Sequence, residues 1–200
     1  QATGSQTEAQ EVQRILDAIR PDDGLDESEM DKLRHSNPRI RARLLMELGQ
    51  IQAKGAISAL LTALNDINPA VRSTAVASLT KMGDSALDAM IEATAHHSKY
   101  VREGAAQVLG NLKNPQAVDT LIRLLKDDAV QVRAAAADAL GSIGDERAIN
   151  PLKRALGDPD EKVRANAEKS LVRMGENPTS PGGYLRKMFG RLRGGGQKED

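Results

Sequence analysis

The chain has no cysteine and no tryptophan, and among its 200 residues only two tyrosines and one phenylalanine supply aromatic rings. Without thiols there is no disulfide staple and no thiolate ligand or nucleophile, which fits a reducing compartment. With Tyr100, Tyr184 and Phe189 as its only aromatics, the core must be aliphatic, built from Ala, Leu, Ile, Val and Met. No apolar run approaches the roughly 20 residues that span a bilayer as a helix, and the polar start lacks the apolar stretch of a signal peptide. These absences predict a soluble, cytoplasmic protein. Gln1 rather than Met stands first, so the native start is left open. An excess of one charge is missing too, since 28 Lys and Arg balance 28 Asp and Glu. So neutral a chain offers no electrostatic footprint for a phosphate backbone, and nucleic acid is not an expected partner. The balance is uneven along the chain: residues 1–35 hold nine acidic and four basic side chains, residues 175–200 three and five.

What is present is a period. Arg41, Arg72, Arg102, Arg133 and Arg164 follow one another at intervals of 31, 30, 31 and 31 residues, each directly after a β-branched residue. An Ala-rich stretch follows each Arg and ends in Leu and a turn, as in Val132-Arg133 through Leu140-Gly141-Ser142-Ile143-Gly144-Asp145. Self-similarity at this spacing means stacked helical units, each too small to bury its apolar face alone. Within a unit Val132, Ala136, Leu140 and Ile143 fall on one helical face, as do Val71, Ala75, Leu79 and Met82. These are second helices of pairs. First helices are expected over Ala56–Asn65, Ala86–Ala95, Gln116–Lys126 and Arg147–Leu156. The Gly-Asp turns at Gly83-Asp84 and Gly144-Asp145 supply a left-handed residue, then a side-chain cap for the next helix.

The run from Val132 to Leu152 closely resembles the HEAT-like repeats of the phycobilisome-lyase type, whose pattern reads near VRxxAAxALGxIGDxRAxxPLixAL. The resemblance implies an all-α, right-handed α-α superhelix (a HEAT-like α-solenoid) of about five helix-pair repeats over residues 26–176. Residues 1–25 then form a polar, acidic capping segment, and residues 177–200 a linker and basic tail. In such repeats an Asp six residues before the Arg joins a polar ladder between units. By that resemblance Asp66 with Arg72, Asp127 with Arg133, and Asp158 with Arg164 are partly buried, hydrogen-bonded pairs that set inter-repeat geometry. A competing reading makes the Arg row an anion-binding stripe. His35 and His96 replace the Asp before Arg41 and Arg102, where a neutral imidazole still accepts a hydrogen bond and a protonated one does not.

Catalytic signals are sparse. Consecutive residues such as His96 and His97 diverge by about 100° on a helix, so they do not share a face as paired metal ligands do. Deoxyhypusine hydroxylase, an iron enzyme of similar repeats, relies on His-Glu pairs, and this sequence has no His-Glu dipeptide. HEAT-like DNA glycosylases hold a base with aromatic side chains, whereas this solenoid has Tyr100 alone. No nucleophile triad, phosphate-cradling glycine loop or coupled carboxylate pair stands out. No cofactor, no metal and no enzymatic activity are expected.

The resemblance instead directs attention to the inner, concave face formed by the second helices. That face includes Arg39, Arg43, Thr74, Tyr100, Glu103, Gln107, Gln131, Asp138 and Lys169. Tyr100 is its natural anchor, because a rigid aromatic buries much area at little entropic cost, though a lone exposed Tyr is often incidental.

The ends carry two further candidates. Val12, Ile15, Leu16 and Ile19 lie at helical spacing before Pro21, either capping the first repeat or forming an acidic arm for a partner. After the Pro- and Gly-rich linker, Tyr184, Leu185, Arg186, Lys187, Met188, Phe189, Arg191 and Leu192 make a basic amphipathic stretch whose apolar members span an arc of about 140°. So short a helix is marginal alone and needs something to order against. Its own last repeat, a partner groove and an anionic membrane surface are the alternatives. The reading as a whole is a monomeric, non-enzymatic protein–protein adaptor. The family resemblance implies the runner-up, a bilin lyase subunit or phycobiliprotein-handling chaperone, and the tail a third, an adaptor tethered at a membrane surface.

Overall fold

The computed structural model describes residues 2–17, 31, 33–51 and 55–176. Among these the fold is entirely helical, an α-solenoid of helix pairs. The helices run α1 (Ala2–Asp17), α2 (Pro38–Ile51), α3 (Ala56–Ala63), α4 (Pro69–Lys81), α5 (Leu87–Ala93) and α6 (Lys99–Leu112). They continue with α7 (Val118–Leu124), α8 (Val130–Ile143), α9 (Ile149–Ala155) and α10 (Glu161–Arg173). The chain divides into two compact units, residues 1–112 and 113–200. In the first, the second helices α2, α4 and α6 pack side by side, with α3 on α4 and α5 on α6. In the second, α8 packs on α10, backed by α7 and α9.

Local chemistry sets the helix starts. Asn37 and Asn68 accept from the backbone N–H two residues on, at 2.9 Å each, and the following Pro38 and Pro69 have no N–H to leave unpaired. Three first helices are shorter than expected because each opens as a 3-10 turn: Gly83–Ala86, Pro115–Ala117 and Glu146–Ala148. Gly144, at φ 75°, ends α8, and Asp145 caps the next turn by accepting from the N–H of Arg147 at 2.9 Å. At the Gly83-Asp84 turn the positions that open the 3-10 turn and α5 fall on Met82 and Ala86, neither of which caps through its side chain. At the Lys113-Asn114 turn a lysine takes the left-handed conformation, φ 55°, and Asn114 accepts from the N–H of Gln116.

The periodic apolar positions are the core. Leu44, Leu48, Leu60, Leu64, Leu79, Met90 and Leu109 are fully buried in the first unit, as are Leu121, Leu140, Leu152 and Leu171 in the second. Second helices approach closely where a glycine faces a serine. A Cβ on Gly141 would lie 2.3 Å from the Cβ of Ser170 and 2.7 Å from its Cα, and the buried Ser170 hydroxyl donates to the Ala137 carbonyl at 2.8 Å. The Gly49–Ser78 approach is looser, 2.7 Å and 3.3 Å by the same measure. At the N-terminus α1 packs on α2, burying Val12 and Ile15, and Asn37 donates to Glu8 at 3.3 Å. Ile19, Pro21 and the whole tail stretch from Tyr184 to Leu192 lie outside the described residues.

Candidate functional site

The spacing of six between Asp and Arg corresponds to a real bond, but to the carbonyl rather than the carboxylate. Arg72, Arg133 and Arg164 each donate through Nη1 to the main-chain oxygen of Asp66, Asp127 and Asp158, at 2.8, 2.9 and 2.7 Å. The carboxylate of Asp66 is instead gripped by Arg41 of the preceding repeat, through Nε and Nη2 at 2.8 Å each. Arg133 holds Asp158 in the same way, at 2.8 and 3.0 Å. The side-chain pairing expected within a repeat is therefore corrected to one between repeats, 25 residues apart. The cause is geometric: the six-residue loop turns the guanidinium back onto the carbonyls of its own turn, and the remaining N–H fork points toward the next helix pair. Both pairs are well buried, with side chains 14% and 14% exposed at Arg41–Asp66 and 12% and 10% at Arg133–Asp158.

Each Asp does a second job, accepting the N–H two residues on: Asp66 from Asn68 at 2.8 Å, Asp158 from Asp160 at 2.9 Å. Burial pushes the Asp66 and Asp158 carboxyls up, but the Arg41 or Arg133 hydrogen bonds, the turn N–H and the neighbouring guanidinium charges outweigh it and leave both below the ordinary 3.8. His35 and His96 keep only the turn. Their Nδ1 atoms accept from the N–H of Asn37 and Ser98, both at 3.0 Å, which requires a ring unprotonated at that nitrogen. Burial, then the charges of His97 and Arg102, hold the His96 pKa below its ordinary 6.5. His96 and His97 stand in the loop before α6 rather than on a helix, with ring centroids 4.0 Å apart. Among the described residues no cluster of His, Cys, Asp or Glu is arranged to hold a metal.

Because an imidazole stands where the next repeat would supply a carboxylate, Arg72 takes a different partner. Its guanidinium carbon lies 4.5 Å from the centroid of the Tyr100 ring, and the Lys99 ammonium approaches the same ring at 5.4 Å. A cleft of about 110 Å³ opens there between α4 and α6, lined by Arg72, Ser73, Val76, Tyr100, Glu103 and Gln107 with Leu64, Pro69 and Gly104. Tyr100 is 39% exposed at its mouth. Three expected face residues, Tyr100, Glu103 and Gln107, thus come together in one cleft. Thr74 lies outside its lining and spends its hydroxyl on the Ala70 carbonyl at 3.0 Å. Arg39 and Arg43 are exposed on α2.

In the second unit Asp138 and Lys169 come together, at 3.9 Å, but as part of an internal tie. Arg173 also reaches Asp138 at 3.2 Å and the Ser142 hydroxyl at 2.9 Å, bracing α8 against α10. Such half-exposed pairs add little stability. Gln131 is half-buried at the start of α8. Two participants escaped the sequence reading. The repeat spacing places Arg72 wholly in the ladder, although His96 marks its missing acceptor. Arg147 clamps Asp145 through two bonds of 2.9 Å and reaches the Pro115 carbonyl at 2.9 Å and Asp119 at 3.2 Å, a role written in the Gly-Asp-x-Arg pattern.

Comparison with known proteins agrees with this architecture. No curated protein sequence gives a significant match. Among solved structures, the complex of CpcE and CpcF of phycocyanin lyase from Nostoc sp. PCC7120 is similar at 27% identity and a TM-score of 0.55, over 84% of this chain and 70% of that one. Human deoxyhypusine hydroxylase is similar at 23% identity and a TM-score of 0.49, over 75% of this chain and 63% of that one. A computationally designed armadillo repeat protein for modular peptide recognition is similar at 19% identity and 0.48, over 89% and 86%. The HEAT-repeat model matches residues 30–103 and 87–172, and on that coverage the chain belongs to the HEAT-repeat family.

Proposed function

We propose that this chain is a non-enzymatic adaptor that binds another protein through the second-helix face of its repeats, with the Tyr100 cleft as the principal contact. One observation carries the reading: an exposed aromatic ring stands at the mouth of a cleft, stacked on a guanidinium that no carboxylate among the described residues grips. An aromatic and an arginine side by side are the residue types in which interface energy concentrates. Arg39, Arg43 and Thr74 would extend the contact within the first unit, and Gln131, Asp138 and Lys169 are the candidates on the second unit, taken by itself. Capture on intact protein, followed by measured affinity for whatever is captured, tests it. Tyr100→Ala is expected to weaken binding at least about tenfold, as hot-spot truncations do. Unchanged affinity sinks the reading.

The likeness to the CpcE and CpcF complex favours a second reading, a subunit of a bilin lyase or a phycobiliprotein-handling chaperone. A bilin absorption band carried by this chain with its partner would mark that role, and its absence from such a complex would count against it. The tail, from Tyr184 to Leu192, is the candidate for docking on a partner or an anionic membrane surface.

A further inference from the structure

We infer that the open edge of Arg72 receives a carboxylate from outside the chain, so that the Tyr100 cleft is a docking site for an acidic peptide segment of the partner. The inference rests on the adaptor reading and gives its partner a chemistry. Arg41 and Arg133 show what this guanidinium is built to do: Nη1 anchors on two carbonyls of its own turn while Nε and Nη2 grip an Asp. Arg72 keeps the anchor, donating to Asp66 and Ile67 carbonyls at 2.8 and 3.2 Å. Its Nε and Nη2 donate to no described residue. The anchor fixes the orientation, so a ligand carboxylate would meet a preorganised, bidentate fork without first ordering a long side chain.

Charge and shape agree. Lys99 adds a second cation beside the Tyr100 ring, and the ring covers one side of the Arg72 guanidinium, lowering the dielectric around any ion pair made at its edge. Glu103 lines the same cleft but forms no ion pair with Arg72, so it restricts where the acid can sit without occupying the fork. The Tyr100 hydroxyl bonds to no described residue and remains available to the peptide backbone.

A labelled hexaglutamate peptide, with hexaglutamine as its neutral counterpart, tests this by fluorescence anisotropy at low salt. The glutamate peptide is expected to bind and the glutamine peptide not. Arg72→Gln should weaken binding about tenfold, the loss of one charge-assisted bidentate contact. Arg154→Gln, which removes the same charge from an exposed position on α9, should change it by less than about twofold. His96→Asp, which places a carboxylate at the position that Asp66 and Asp158 hold in their repeats, should compete internally and weaken binding. His97→Asp adds the same charge at the exposed neighbouring position and should not. The proposal is overturned if hexaglutamate does not bind, or if Arg72→Gln and Arg154→Gln weaken it equally. Arg72-dependent hexaglutamate binding alongside captured partners indifferent to Tyr100→Ala would sink the adaptor reading alone; the reverse pattern would sink this one alone.

Discussion

At the α8–α10 junction Arg133 delivers two donors to Asp158, and the glycine and serine beneath them touch, whereas at the α4–α6 junction the acceptor position is held by His96 and the arginine lies on a tyrosine. Both junctions descend from one motif and share the same turn, in which the residue six before the Arg accepts the N–H two residues on. One atom separates them in effect. A carboxylate offers Oδ1 to the turn N–H and to one arginine N–H and Oδ2 to the other, while an imidazole that accepts at Nδ1 has no second acceptor to offer. A closed junction stabilises the stack; an open one leaves a strong donor facing solvent beside an aromatic ring. The comparison teaches that in a repeat array a binding site can arise by omitting a structural contact.

The largest effect should come from prying the closed junction apart. Gly141→Ala puts a methyl group 2.7 Å from the Ser170 Cα, which is backbone and cannot step aside cheaply. The strain of about 3 kcal/mol exceeds the roughly 1 kcal/mol of helix propensity that Ala brings, so the net loss is about 2 kcal/mol. Gly49→Ala meets the Ser78 Cβ at 2.7 Å but clears its Cα by 3.3 Å, and should lose less, about 1 kcal/mol. Urea denaturation of the two variants checks the difference, and equal midpoints would refute the contact geometry.

A somewhat smaller loss, about 1.5 kcal/mol, is expected from Asp158→Asn. An amide oxygen at the Oδ1 position can still accept the Asp160 N–H and Arg133 Nη2, so the variant removes the charge and the Nε–Oδ2 bond while leaving the turn in place. If the same denaturation experiment shows no change, the rung contributes nothing and the contrast between the junctions is only geometric.

The smallest effect is a pH dependence with limbs of the same sign in separate ranges at the two kinds of rung. Folded His96 holds a proton less tightly than the unfolded ring, so the unfolded chain binds more protons as pH falls through 6.5, and stability is lost from there downward. Asp66 and Asp158 are also depressed, from 3.8, so their contribution is present above that value and is lost as pH falls below it through the folded pKa. His96→Asp should abolish its share of the mild-acid limb and raise neutral-pH stability by up to about 1 kcal/mol by closing the rung. Thermal midpoints between pH 7 and pH 3 test this; a mild-acid limb of the same size in His96→Asp would show that this ring does not carry it.

The second-helix register was legible in the sequence because Val, Ala, Leu and Ile at helical spacing can satisfy only one buried face, and Val71, Ala75, Leu79, Val132, Ala136 and Leu140 are all buried. Helix starts were harder to read. The 3-10 turns before α5, α7 and α9 depend on how each loop closes, and apolar spacing does not report loop geometry. Within the candidate site, Tyr100 could be singled out by its rarity and Glu103 and Gln107 by repeat register, but their joining with Arg72 in one cleft could not.

By itself the sequence determined the period, the helical class, the buried aliphatic face and the two places where histidine interrupts the acidic position, since each follows from residue type and spacing along one chain. Tertiary structure alone decided which arginine grips which aspartate, that Gly141 and Ser170 nearly touch, and that Arg72 turns to Tyr100. Those outcomes depend on distances between residues 25 or more apart, and only the packing of one helix pair on the next sets them.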